Sequence, residues 1–275
     1  MKILVPVDLY DSSHSAYEYA LQFANDMKAN ITLLHIINSV FNTNDVMAYD
    51  PYDEMEATAK KRLNNFVSKY SNDESYPKVF TKVEVLFGIP GIAISEYAQA
   101  NDQDLIIMGV RDKHGIFDRL LGSASSETIK EAKCPVMLIH NDTIYKKPEK
   151  ILFAFDRKTD LDDALESYKK INNVLQAKTD FLHINVKETD DITKQKAEIV
   201  SELFEKDDPQ FAFEIKTLSG NKVTTGLIDY CFFEKIDMIS MIHRNEGIFS
   251  NFLRADKSIQ LAQKFHLPVI VFQED

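Results

Sequence analysis

The chain has two cysteines, no apolar run of membrane length and no excess of positive charge. Cys134 and Cys231 cannot make a disulfide framework, and neither has a second cysteine at metal-binding or redox spacing. Both are expected as buried free thiols in a reducing compartment. No apolar stretch approaches the roughly 18 to 20 residues that a membrane helix needs. The net charge of −11 argues against a general binder of nucleic acid or acidic membranes, which needs a basic face to release counterions from phosphates. A strand pattern begins directly at Lys2, without a basic and then apolar leader, so the expected location is the cytoplasm.

The 275 residues suggest two domains of about 130 to 140 residues. Hydrophobic residues make up 44% and charged residues 27%, an ordinary globular balance with enough apolar material for two cores.

Ile3 to Val7 is a compact apolar run, and Asp8 stands where a buried strand would leave its sheet, the place where α/β proteins put their ligands. Ser12 or Ser13 is expected to cap a helix whose apolar face carries Ala16, Ala20, Phe23, Ala24 and Met27. Asn30 suits the helix end, and ITLLHIIN from Ile31 to Asn38 reads as a second strand. The excursion from Ser39 to Pro77 predicts a flexible flap, then a helix with Ala59, Leu63, Phe66 and Tyr70 on one face. Val79 to Phe87 reads as a strand nearer a sheet edge, because one face carries polar residues. A turn at Gly88 and Pro90 leads to a helix over Ile92 to Ala100 and a buried strand over Leu105 to Met108, ended by Gly109. A polar loop follows. Gly122 and Ser123 then open a helix to Ala132, with free backbone N–H groups that suit an anion, and Val136 to Ile139 makes a fifth strand.

Five strands joined by helices predict an α/β, doubly wound, parallel sheet of order 3-2-1-4-5, with the loops after Val7 and Met108 opening onto one crevice. The pattern is written twice. KILVPVD at Lys2 to Asp8 recurs as KILFAFD at Lys150 to Asp156, and LLHIIN at Leu33 to Asn38 has an echo in FLHINV at Phe181 to Val186, both 148 residues on. GIFDRLLG at Gly115 to Gly122 recurs as GIFSNFLR at Gly247 to Arg254, and CPVMLI at Cys134 to Ile139 as LPVIVF at Leu267 to Phe272, at an offset of 132 or 133. The second copy is therefore shorter in the excursion. The domains are expected at 1–143 and 148–275, joined within the polar stretch Asn141 to Glu149.

ILVPVD, LLHII, the turn at Gly88 and Pro90, and MGxxx followed by GS and CPVMLI together resemble the universal stress protein family, in its tandem form. That resemblance covers nearly the whole chain. It implies two adenine nucleotide alpha hydrolase-like (Rossmann-like) domains, packed through their last strands as a pseudo-two-fold dimer within the chain, with further homodimerisation left open. It implies a regulatory ATP-binding protein, without catalytic residues and at most slow in hydrolysis. Pro6, Val7 and Asp8 and the backbone of Ile36 would border the adenine and ribose. Met108, Gly109 and Arg111, with Gly122, Ser123 and Ala124, would border the ribose and phosphates. The family's motif has a second glycine where this chain has Asp112, which adds a Cβ and a negative charge; Asp112 could instead hold a magnesium ion. In the second copy Ile242 stands at the Gly109 position and Arg254-Ala255 at the Gly-Ser position, so no nucleotide is expected there. Two other readings stay open, a nucleotide-free module that binds a protein or apolar ligand, and an enzyme acting on an adenylated substrate.

Asp8 and Asp156 could cap their own turns; ligand contact is favoured for Asp8 and capping for Asp156. His35 and His183 lie inside apolar strands without other ligands at metal spacing, and read as satisfied core histidines. Ser123 has no partner placed to activate it as a nucleophile, and reads as a helix-capping residue touching phosphate. Phe117, Phe249 and Phe252 read as core or interface aromatics.

Overall fold

The structure is a computed structural model that describes residues 1–38, 51–110, 122–141, 143–156, 162–185, 201, 209–219, 223–243 and 267–273. It divides after Asn141 into two compact units. The first contains β1 (Lys2–Pro6), α1 (Asp11–Met27), β2 (Asn30–Ile37), α2 (Pro51–Ser71), β3 (Thr81–Phe87), α3 (Pro90–Ala100), β4 (Leu105–Val110), α4 (Ser123–Glu131) and β5 (Val136–His140).

Every ladder in this unit is parallel. β1 pairs with β2 from Lys2↔Asn30 to Pro6↔Leu34, and with β4 on its other side at Ile3↔Leu105 and Leu4↔Ile106. β3 adds to β2 and β5 to β4, which gives the order β3-β2-β1-β4-β5. The chain winds outward in one direction from β1 and in the other from β4, so their carboxyl ends face a common crevice. Ile3, Leu4 and Val5 are fully buried, as are Leu105, Ile106 and Ile107, because helices cover both faces of the sheet.

Three local expectations are corrected. α1 begins at Asp11 with Tyr10 as its N-cap residue, and neither Ser12 nor Ser13 caps it; both are buried, and the Ser13 hydroxyl serves Asp8 instead. α1 ends at Lys28, whose left-handed φ of 50° lets its N–H reach the Ala24 and Asn25 carbonyls. Asn30 is not the helix end but opens β2, because its N–H joins the ladder at the Met1 carbonyl. Gly109 does not end β4, because pairing with β5 continues through Gly109↔Ile139 to Val110↔His140.

α2 buries the stripe Ala59, Leu63, Phe66 and Tyr70 and leaves its charged face in water. Tyr17 of α1 receives the stripe, with ring centroids 5.4 Å from Phe66 and 5.1 Å from Tyr70, the latter edge-on. The expected flap before α2, at 39–50, lies outside the described residues.

The second unit contains β6 (Lys150–Asp156), α5 (Asp162–Leu175), β7 (Lys178–Asn185), β8 (Phe213–Ser219), α6 (Val223–Phe233), β9 (Met238–His243) and β10 (Val269–Gln273). Its parallel ladders repeat the first unit's register. Pro6↔Leu34 corresponds to Ala154↔Leu182, and Gly109↔Ile139 to Ile242↔Phe272. The β2–β3 pair Ile31↔Thr81 corresponds to Thr179↔Phe213, so the shortening of the second copy falls between β7 and β8. Phe153, Tyr168, Phe181 and Phe272 pack as an aromatic core, with Phe153 5.0 Å from Tyr168 and 5.4 Å from Phe181.

The second unit also buries a carboxylate. Asp180 on β7 is wholly inaccessible; its Oδ2 accepts from Tyr230 of α6 at 2.7 Å and pairs with Lys150 at 2.9 Å and Lys216 at 3.2 Å. The residue 148 positions earlier is Thr32, which is neutral.

Candidate functional site

The crevice of the first unit is built where β1 and β4 end. Val7 is buried one residue past β1 and continues its ladder by donating its N–H to the Leu34 carbonyl at 2.8 Å. His35 Nδ1 lies 2.8 Å from the Val7 carbonyl. A carbonyl only accepts, so Nδ1 carries the proton, and the histidine ties β2 to the β1 loop. That is the satisfied structural role expected of His35. His35 is half-buried, whereas His183 is buried, with its ring 5.4 Å from that of Phe155.

Residues along a parallel strand turn their amide groups alternately to the two neighbours. Leu34 faces β1, so Ile36 faces the same way, one step beyond the ladder bond at Val7. Its main chain therefore borders the crevice, beside the half-buried Pro6.

Asp8 is exposed at the mouth of the crevice, and its orientation is fixed. Its Oδ1 accepts from Ser13 Oγ at 2.8 Å and from the Tyr10 N–H at 3.1 Å, while its own N–H donates to Ser13 Oγ at 2.9 Å. Asp8 thus caps its own turn while presenting a carboxylate to the crevice. Between them Leu9 holds a φ of 65°, a left-handed conformation rare for a branched side chain.

On the β4 side, Met108 is buried and Gly109 half-buried. A Cβ at Gly109 would lie 2.1 Å from the Ser12 carbonyl oxygen, so the glycine is required by the approach of the first turn of α1. This need is internal to the fold. Gly122 is different: it is exposed, and a Cβ there would meet none of the described residues within 4 Å. It occupies the N-cap position of α4 with φ −62° and ψ 161°, and no side chain caps the helix, so Ser123 is its first residue and not the cap expected of it. The first intrahelical bond runs from the Ser126 N–H to the Gly122 carbonyl at 3.0 Å. The N–H groups of Ser123, Ala124 and Ser125 precede it and have no intrahelical acceptor. No acidic residue stands in that first turn, so nothing within the turn itself offsets the partial positive charge of the helix end. Gly91 of α3 sets the position of this turn, since a Cβ would come within 2.3 Å of Glu127 Cβ and 3.0 Å of the Ala124 carbonyl.

The structure therefore brings Pro6, Val7, Asp8 and Ile36 to one side of the crevice and Met108 and Gly109 to the other. Gly122, Ser123 and Ala124 open the helix that follows β4 in the chain. Arg111 and Asp112 lie outside the described residues, as do Phe117, Phe249, Phe252, Arg254 and Ala255. In the second unit Ile242, 5% exposed, occupies the register position of Gly109, and Asp156 ends β6. Ser13 and Gly91 were missed as supports of the site. The five-residue spacing from Asp8 to Ser13 is the length of one turn closed by a side chain, and could have pointed to the pair. Among the described residues no group of three or more histidine, cysteine or acidic side chains could hold a metal ion. None of the described helices is long and apolar enough to cross a membrane.

Known proteins resemble this chain in sequence and fold. The sequence profile of the universal stress protein family matches residues 1–140. A universal stress protein of Methanocaldococcus jannaschii is 28% identical over 158 residues, covering 54% of this chain and 84% of the relative. The YxiE universal stress protein of Bacillus subtilis is 26% identical over 144 residues, 50% of this chain and 97% of the relative. Over the full length, a universal stress protein from Archaeoglobus fulgidus superposes with a TM-score of 0.71 at 21% identity, covering 99% of this chain and 96% of the other, which shows a common fold. With the profile spanning half of its length, this chain belongs to the universal stress protein family.

Proposed function

We propose that the first unit binds an adenine nucleotide, ATP alone or with magnesium, and that the chain is a cytoplasmic regulatory protein of the stress response whose second unit is a structural partner. The observation that carries the reading is the uncapped start of α4. Among the described residues nothing lies within 4 Å of a Cβ placed on Gly122, and three N–H groups stand without helical acceptors beside it. Such a helix end favours phosphate by both hydrogen bonding and dipole. Asp8 and the Ile36 main chain, across the crevice, suit the hydroxyls of a ribose and the edge of an adenine. Met108 and Gly109 form the wall between them. Arg111 and Asp112 belong to the chain between β4 and α4, and the aspartate would engage the phosphates through a magnesium ion.

Ile242 supports assigning no nucleotide to the second unit, because a buried branched side chain stands where the first unit has glycine. The same reading makes residues 1–143 and 148–275 two domains of the family. It assigns no general base or nucleophile, so hydrolysis is slow and binding itself is the signal.

Calorimetric titration of ATP into the purified chain tests the proposal. One site per chain is expected, with binding lost in Gly122→Val, whose branched side chain fills the mouth of the α4 turn. Absence of heat and of a thermal shift, with and without magnesium, would overturn it in favour of a nucleotide-free interaction module. Rapid turnover abolished by one loop substitution would overturn the regulatory assignment.

A further inference from the structure

The loop between β1 and α1 holds a feature that the nucleotide reading does not use. Ser13 is 4% exposed, yet its hydroxyl is committed to an exposed residue five positions earlier. The single hydroxyl proton goes to Asp8 Oδ1 at 2.8 Å, and the oxygen accepts the Asp8 N–H at 2.9 Å. One side chain therefore holds both the main chain and the carboxylate of Asp8. The Tyr10 N–H adds a second donor to the same carboxylate oxygen at 3.1 Å.

This clamp over-determines the loop, which is how a left-handed Leu9 persists. Ser13 is not spent on α1, whose N-cap residue is Tyr10. The second copy provides an internal comparison: 148 residues beyond Ser13 stands Leu161, which has no hydroxyl, and beyond Leu9 stands Arg157. The copy in which Ile242 stands at the Gly109 position thus also lacks a serine at the Ser13 position.

We propose that Ser13 is a positioning residue of the nucleotide site, holding the Asp8 carboxylate toward the ribose hydroxyls. The inference rests on the nucleotide-binding reading of the first unit. A carboxylate on a free loop would have to be ordered when ligand binds, whereas one already clamped carries no such cost.

The test is calorimetric titration of ATP and of 2′,3′-dideoxy-ATP into the full chain, as wild type, Ser13→Ala, Ser13→Thr, Asp8→Asn and the Asp8→Asn/Ser13→Ala double variant. Ser13→Ala is expected to weaken ATP about tenfold, the weight of one hydrogen bond to a charged group. Ser13→Thr, which keeps the hydroxyl, restores affinity. In the Asp8→Asn background the alanine adds no further loss, because it acts only through Asp8. Dideoxy-ATP, which lacks the ribose hydroxyls, binds wild type and Ser13→Ala equally. Unchanged ATP affinity in Ser13→Ala, or equal losses for the two nucleotides, overturns the positioning role alone. Failure of wild type to bind either nucleotide overturns both this role and the nucleotide reading.

Discussion

Replacing Asp180 by asparagine removes one negative charge from the interior of the second unit without changing its shape. The carboxylate is fully buried among Tyr230 and two lysines, at 2.7 Å, 2.9 Å and 3.2 Å. Breaking a buried ion pair from one side typically costs about 3 to 5 kcal/mol, because the remaining charge is left uncompensated. Here the lysines have other recourse. Lys150 and Lys216 are 18% and 28% exposed, Glu234 lies 2.6 Å and 3.6 Å from them, and Glu214 is 3.4 Å from Lys216. Lys216 also lies 5.4 Å from the centre of the Tyr230 ring. The expected cost is therefore at the low end, about 3 kcal/mol. For a unit of this size that lowers the melting temperature by on the order of 10 °C.

The effect depends on pH in a defined direction. Burial pushes the Asp180 carboxyl up, but hydrogen bonds from Tyr230, Lys150 and Lys216 outweigh it and hold the carboxyl below its ordinary value. A carboxyl depressed in the folded state stabilises above its unfolded value, about 3.9, and loses that contribution as pH falls through the folded value. The gap between wild type and Asp180→Asn is thus full at pH 7 and closes in acid below about pH 4. Thermal unfolding by circular dichroism, with hydrogen exchange on β6 to β8 to localise the loss, measures both. A melting temperature within about 2 °C of wild type at pH 7 would refute the reasoning. So would a deficit that persists undiminished in strong acid. Thr32→Val, at the matching position of the first unit, should cost no more than about 1 kcal/mol, since only a neutral hydrogen bond is lost.

Gly109→Ala drives a Cβ to 2.1 Å from the Ser12 carbonyl, and backbone cannot yield cheaply; the expected loss is about 3 kcal/mol in urea unfolding. Tyr70→Phe removes the hydroxyl that donates to Glu18 at 3.2 Å and lies 2.6 Å from His14 Nδ1, and should lower stability by about 1 to 2 kcal/mol, read as an earlier release of α2 in hydrogen exchange. Burial pushes the thiols of Cys134 and Cys231 up to about 12, so at pH 8 neither should react with a disulfide reagent until the chain is unfolded.

Much of the fold was legible because its signals are local. Apolar runs such as Ile3 to Val7 and Leu105 to Met108 can be stable only with both faces covered, and the stripe Ala59, Leu63, Phe66 and Tyr70 has one helical period. The repeat was equally plain, and the ladders place Ile242 at the position of Gly109, as counting along the chain had done. Element ends were less legible. Asn30 has the chemistry of a helix end, but the carbonyl of Met1 recruits it into β2, and pairing with β5 carries β4 through Gly109.

The sequence by itself determined the pattern of strands and helices, the repeat of its segments and the family. It could not say what each glycine is for. Gly109 and Gly122 are alike in composition and motif, yet one is demanded by the backbone of α1 and the other meets none of the described residues. Nor could it reveal that Ser13 orients Asp8 rather than capping a helix, or that Asp180 is neutralised by lysines from two other strands. These are decided by distances between atoms far apart in the chain or turned by a single loop. Steric exclusion and charge pairing act at such distances, and residue identity alone does not set them.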